Sequence, residues 1–338
     1  MTVAQRIQAF EKLYSALKAL DQETREFWSR KAVAHNGWFQ GNSVALAIDG
    51  LIRYLEPTSF RAWAASYALP TDLEPKKVGV IMAGNIPMVG IHDFITVLLS
   101  GHELHAKLSS QDPFLIKEIA NMLIEIEPAF EQKIHFVERM NDVHALIATG
   151  SDNSARYFEY YFKDKPKIIR KNRTSVAVLT GQESEAGLQK LAEDILAYYG
   201  LGCRNVSKIF IPKDYELTQL MAASEALTQE NLQNHKYSNN YDYHKSIYLV
   251  NQIAHLDNGG LLATEMEELV SPIAVLYYEY YEDEAALKGR LADLTDKIQC
   301  IVSDGGHFPN SLTFGQAQEP KINDYADGVD TLKFLLEI

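Results

Sequence analysis

Apolar positions recur at helical spacing through roughly the first seventy residues. Ile7, Phe10, Leu13, Leu17 and Leu20 form one stripe with a period near 3.6. A second helix is expected over 22–33. Asn42 and Ser43 are placed to cap a third, which carries Leu46, Ile48, Leu51 and Ile52. Trp63 and Tyr67 fall on a fourth, ended near Pro70. These side chains read as packing residues of an N-terminal helical segment.

From Lys77 the period changes. Residues 78–82 form a short apolar strand, Ala83-Gly84-Asn85 a turn, and Pro87 the start of a helix continuing through 89–99. Strands are expected at 103–108, 133–137 and 144–148. Helices are expected from Asp112-Pro113 and from Thr149-Gly150-Ser151 through Phe162. Alternating strands and helices with short turns predict a parallel, doubly wound α/β sheet. Ligands of such sheets lie beyond the carboxyl ends of the strands, which puts Gly84-Asn85, Lys107 and Thr149-Gly150-Ser151 on one rim. Residues 165–174 carry Lys165, Lys167, Arg170, Lys171 and Arg173, either as a solvated loop or as an anion site.

A strand at 175–179 opens a second α/β stretch. Leu188, Leu191, Ile195, Leu196 and Tyr199 give a helix, Gly200-Leu201-Gly202-Cys203 a turn, and 207–211 a strand. Residues 215–262 read as mostly helical. There Tyr237, Tyr241 and Tyr243 suit amphipathic packing better than an aromatic box. Strands follow at 273–278 and 298–302, a helix at 287–294, and a terminal strand at 330–336.

Composition narrows the classes. The 338 residues are 46% hydrophobic and 23% charged, ordinary for a globular chain and enough for two domains. A formal net charge of -13 argues against nucleic-acid or anionic-membrane partners. Two cysteines are too few for a disulfide framework and fit a reducing, cytoplasmic setting. No signal-peptide core and no apolar run of membrane-spanning length is present.

Most catalytic signatures are missing. No G-x-G-x-x-G follows the first strand, and no Walker lysine motif or G-x-S-x-G elbow occurs. The ten histidines include no H-E-x-x-H. His102 and His105 flank a short strand with alternation placing them on opposite faces, so no metal site is expected. What remains is Cys203, presented on a glycine-flanked turn between helix and strand as a nucleophile would be; the other reading is an inert buried thiol. Cys300 lies in the apolar strand at 298–302 and reads as core.

Gly200-Leu201-Gly202-Cys203-Arg204-Asn205-Val206-Ser207 resembles the active-site segment of the LuxC-type acyl-CoA reductases, within the aldehyde dehydrogenase superfamily. Met82-Ala83-Gly84-Asn85-Ile86-Pro87, Lys107-Leu108-Ser109-Ser110, Thr149-Gly150-Ser151 and Glu268-Leu269-Val270-Ser271-Pro272 are similar, in order, to further motifs of that superfamily. Phe314-Gly315-Gln316-Ala317-Gln318 and Ala326-Asp327-Gly328-Val329-Asp330 resemble its C-terminal pattern, so the likeness covers roughly residues 35–338.

The resemblance implies two doubly wound α/β domains after the N-terminal helices: residues 1–170 binding the cofactor, 171–318 carrying the cysteine, and a C-terminal arm at 319–338. It implies Cys203 as nucleophile, and the Asn85 amide with the Cys203 backbone N–H as oxyanion hole. Lys107, Thr149, Gly150 and Ser151 would bind the adenosine and phosphate end of NADPH or NADH, and Glu268 the nicotinamide ribose. The implied reaction reduces an acyl-CoA to an aldehyde through an S-acyl cysteine, with coenzyme A as part of substrate and product. A homo-oligomer is compatible with it. A CoA-acylating aldehyde dehydrogenase working oxidatively, a non-catalytic acyl-CoA or nucleotide-binding module, and a thioester-forming acyltransferase stay open. Arg170 stands where hydrolytic members carry a water-activating glutamate, which fits a reductase. The basic decade 165–174 leans towards NADPH or CoA phosphates.

Overall fold

The computed structural model describes residues 1–338 apart from Asp72 and Ser151, with the side chain of Asp152 also left out. The polypeptide divides into two compact units, Met1–Asn172 with Pro320–Ile338, and Arg173–Glu319.

The first unit opens with α1 (Val3–Lys18), α2 (Gln22–His35), α3 (Ser43–Tyr54) and α4 (Pro57–Ala65). Thr2 and Gln5 close a reciprocal capping box on α1, and Glu56 with Pro57 sets the start of α4. The sheet that follows comprises β1 (Lys77–Ile81), β2 (Glu103–Lys107), β3 (Ile134–Phe136), β4 (Ala145–Thr149) and β5 (Lys167–Arg170). All its pairs are parallel, in the order β3-β2-β1-β4-β5. Helices α5 (Ile91–Ser100), α6 (Leu115–Ile126) and α7 (Asp152–Tyr161) connect the strands. Apart from His92, every position of α5 is buried, as expected of a helix that is apolar almost all round.

The second unit runs β6 (Thr174–Val178), α8 (Glu185–Leu196), β7 (Val206–Pro212), α9 (Thr218–Ala223), α10 (Glu225–Asn231), α11 (His235–Val250), β8 (Leu256–Asp257), β9 (Leu262–Glu265), β10 (Val275–Tyr281), α12 (Glu284–Asp293), β11 (Ile298–Ser303) and β12 (Leu312–Thr313). Its strands form one sheet in the order β12-β11-β6-β7-β10-β9-β8, parallel except for β8 on β9. Every residue of β6 is buried, as befits a strand covered on both faces. Tyr237 and Tyr241 anchor α11 by hydrogen bonds to Gly260 O at 2.9 Å and Asp257 Oδ1 at 2.7 Å, so they pack as expected.

The chain then returns to the first unit as α13 (Thr331–Glu337), packed on α5 with Leu332 and Leu335 fully buried. Several expectations are corrected here. The segment 330–336 is helical, because the Asp330 side chain caps it by accepting from Lys333 N at 2.9 Å. Residues 320–338 fall within the first compact unit, while Glu319 falls within the second. The helix expected from Pro87 begins at Ile91, because Met88 is left-handed (φ 58°) and its N–H donates to Asp112 Oδ2 at 2.7 Å. The basic decade contains β5, and β8 lies within the stretch expected to be mostly helical, with β9 starting at its last residue.

Candidate active site

In the second unit, α8 ends in a distorted turn. Tyr198, Tyr199 and Gly200 are consecutively left-handed, at φ 50°, 60° and 79°. The two tyrosines each carry a cost of about 1–2 kcal/mol, while Gly200 adopts this conformation freely. Such local strain persists only where the surroundings hold it, and here the holding group is Asn205. Its Nδ2 donates to the carbonyls of Asp194 (3.2 Å), Ile195 (3.3 Å) and Ala197 (2.7 Å). Its Oδ1 accepts from Gly202 N at 2.8 Å. One buried amide thus satisfies carbonyls left over at a helix end and fixes the start of the cysteine turn.

Cys203 itself is exposed. It precedes β7, at the amino edge of the second sheet, whereas the rim of the first sheet is built at carboxyl ends. Ser175 Oγ on β6 donates to Cys203 O at 3.0 Å. The same hydroxyl lies 3.1 Å from Cys300 Sγ and accepts from Cys300 N at 3.2 Å. Cys300 is half-buried, not fully core as expected. Arg204 donates through Nε to Ala317 O, so its head is directed at backbone. Asp194 on α8 holds the same segment, accepting from Gly315 N at 2.7 Å and Ala317 N at 3.0 Å. Burial pushes the Asp194 carboxyl up to about 7 against the pull of those two donors.

Glu268 lies exposed on the loop between β9 and β10. That loop is pinned to β7, the strand leaving Cys203. Ser207 Oγ donates to Leu269 O at 2.6 Å, and Lys208 Nζ to Glu267 O at 2.8 Å. Lys208 is fully buried and also pairs with Glu279 Oε2 at 2.5 Å; burial lowers its pKa. A small pocket lies behind the turn, lined by Tyr199, Gly200, Tyr237, Leu261, Ile273 and Ala274 among others.

In the first unit, strand register sets the rim. Ile81 pairs with both Lys107 and Ala148, and Thr149 pairs with Arg170, so the strands end level. The Asn85 loop and Thr149-Gly150 flank the β1/β4 junction, where the strand order reverses direction and such sheets place ligands. Asn85 and Lys107 are exposed, while Thr149 and Gly150 are half-buried. Ser151 lies outside the described residues. Gly84 meets Ser109 so closely that an added Cβ would lie 2.6 Å from its Oγ, which locks the Asn85 loop against the loop after β2. Asn36 Nδ2 adds a bond to Gly84 O at 3.0 Å.

Each cation of the basic decade has a partner within the protein. Arg170 is buried and makes a bidentate pair with Asp93 at 2.5 and 2.8 Å, plus a bond to Thr331 Oγ1 at 3.0 Å. Lys165 donates to Val143 O, Lys167 to Phe162 O and Lys163 O, and Lys171 pairs with Glu159. Arg173 donates to Thr295 O and Ile298 O. Arg170 is thus buried within the first unit, whereas the Lys171–Glu159 pair lies at the surface.

Ser175 and Lys208 were not singled out from the sequence, and Asn205 and Asp194, which accompany the cysteine motif, were given no role there. Asn205 stands inside the cysteine motif, but its partners are set by tertiary folding. Among the described residues no helix is long and apolar enough to cross a membrane.

No family model matches the chain. A curated protein, the long-chain acyl-protein thioester reductase of Aliivibrio fischeri, is 23% identical over 154 residues, 40% of this chain and 32% of that protein. The match thus spans about a third of that relative's length. Among solved structures, an NAD+ complex of aldehyde dehydrogenase from Bacillus cereus superposes with a TM-score of 0.64 at 13% identity, over 90% of this chain and 72% of that one. Aldehyde dehydrogenase 21 from Physcomitrella patens, in complex with the product succinate, gives 0.69 at 12% identity, over 100% and 84%. The fold is aldehyde-dehydrogenase-like, as expected, and the resemblance to LuxC-type reductases is matched by a curated relative of that kind.

Proposed function

We propose that this protein is an oxidoreductase that reduces an acyl thioester, an acyl-CoA by preference, to the aldehyde through an S-acyl intermediate on Cys203. The observation that carries the reading is an exposed cysteine on a strained turn, held by the Asn205 amide within an aldehyde-dehydrogenase-like fold. Support comes also from Arg170. At the position where the resemblance places a water-activating carboxylate stands a guanidinium bound to Asp93. An acyl enzyme without such a base lasts long enough to be reduced.

Cys203 acts as the thiolate, since the thiol is a poor nucleophile. It attacks the thioester carbonyl; the tetrahedral adduct collapses, expelling the CoA thiolate and leaving the acyl group on Sγ. A nicotinamide cofactor, when bound, supplies the hydride that reduces this thioester to a thiohemiacetal. The thiohemiacetal alkoxide collapses to the aldehyde and returns the Cys203 thiolate, and the one proton that the overall reduction takes up ends on the expelled CoA thiol. The rim residues Lys107, Thr149 and Gly150 are assigned to the cofactor, together with Ser151, and Glu268 to its ribose. A nicotinamide cofactor fits the first unit's strand-end rim at the sheet's switch point.

Cys203→Ala is expected to abolish reduction while keeping cofactor binding. Mass spectrometry after acyl-CoA without cofactor should show one acyl adduct on Cys203. An adduct on Cys300, or full activity in the variant, sinks the assignment. Asn85 is assigned to the oxyanion, and losing one such donor costs about 10²–10³ in rate. Unchanged single-turnover acylation in Asn85→Ala would refute that role. The name of the Aliivibrio fischeri relative specifies an acyl-protein donor. Turnover of acyl-CoAs of graded length with NADH and NADPH, beside a protein thioester, separates the donors. Rates measured in both directions distinguish reduction from CoA-acylating oxidation.

A further inference from the structure

Sequence spacing puts His102 and His105 apart, and the structure agrees. His102 is buried and bonds to Lys76 N and Leu335 O. His105, however, acquires a neighbour that spacing alone does not reveal. In the parallel β2/β3 pair His105 lies directly opposite His135, with ring centroids 4.7 Å apart. Glu103, two residues earlier on β2, points to the same face. One potential ligand atom from each of Glu103, His105 and His135 lies within 4.8 Å of the other two. Nε2 of His105 is buried with no hydrogen-bond partner among the described residues.

We propose that Glu103, His105 and His135 form a site for one divalent transition-metal ion, zinc being the best match, which ties the edge strand β3 to β2. Two imidazoles and a carboxylate are donors suited to zinc, cobalt or nickel, not to calcium or magnesium. Zinc takes such ligands at about 2.0–2.2 Å, so modest side-chain rotations close the cluster around it. The ion gives the buried His105 nitrogen its missing partner. A fourth position stays with water, as three protein ligands leave it. Nearby cations are already matched: Lys133 lies 3.5 Å from Glu103 Oε1, and Lys77 pairs with Asp142 at 2.9 Å. Lys133 must yield Glu103 when the ion enters. β3 is a three-residue strand at the sheet edge, with a single neighbour. A cross-strand ion therefore adds to its retention.

The test is equilibrium dialysis of the full chain with Zn2+ or Co2+ alone. One equivalent is expected in the wild type. His105→Gln and His135→Ala should each weaken binding about tenfold or more, and Glu103→Gln less. His307→Ala, at an exposed histidine elsewhere, and Cys203→Ala should leave it intact. The cobalt form should show visible d–d bands without thiolate charge transfer. Zinc should raise the thermal transition of the wild type and leave that of the His105→Gln, His135→Ala double variant unmoved; that double variant's own melting curve shows whether it folds. Unchanged stoichiometry in the double variant overturns the site. So does loss of binding in Cys203→Ala, which would place the ion on the thiol.

Discussion

At the scale of single residues, the candidate nucleophile depends on a neighbour two positions away. Asn205 supplies both a donor to the end of α8 and an acceptor to Gly202. Asn205→Ala leaves those groups unsatisfied beside a left-handed turn, at a cost of about 1–3 kcal/mol. The larger consequence is positional. Acylation of Cys203 should slow, its reaction with iodoacetamide should change, and cofactor affinity should hold. Identical acylation rates in variant and wild type would remove Asn205 from the mechanism. At this scale the candidates Cys203, Asn85 and Glu268 could be named because they sit in local motifs that resemble those of a known superfamily. The groups that aim them were hidden, because Ser175, Asp194 and Lys208 gain their partners across the fold. Arg170 shows the same limit. A cation in a basic run gives no sign that Asp93, on helix α5, will bury it.

At the scale of elements, α8 carries two tasks: it delivers the cysteine turn and, through Asp194, it holds 315–317. Because the folded carboxyl is raised to about 7 from an ordinary value near 4, the folded state binds the proton more tightly than the unfolded chain. Its contribution is therefore complete below about pH 4 and is lost as pH rises through about 7, at up to about 1.4 kcal/mol per pH unit. Urea midpoints measured from pH 4 to 8 should fall more steeply in wild type than in Asp194→Asn; parallel profiles would contradict this. The elements legible beforehand were those with one dominant pattern. β1, β4, β6 and β7 are apolar runs, and α1 is a clean stripe. β5 was masked by Lys167 and Arg170, whose charges read as loop although Ile168 and Arg170 face inward. α13 was ambiguous because Leu332, Phe334, Leu335 and Leu336 fit either period over so short a run. Only the Asp330 cap decides it.

At the scale of the molecule, the first unit is discontinuous in sequence: residues 173–319 interrupt it, and 320–338 complete it. Leu335 is fully buried where α13 meets α5, so Leu335→Ala should cost about 2–5 kcal/mol. Hydrogen exchange should quicken across α5, and unchanged protection there would show that α13 is not integral to the unit. The doubly wound class was evident from strand–helix alternation, whereas the return of the chain was not, since nothing local in 320–338 says which core it joins. The interruption also has a consequence for biosynthesis. On the ribosome, at about 5–20 residues per second, the intervening segment occupies roughly seven to thirty seconds. Through that interval α5 is already outside the exit tunnel, with the apolar surface destined for α13 uncovered. The half of the protein translated first is thus the last to be finished, and its nascent form offers a chaperone an obvious place to hold.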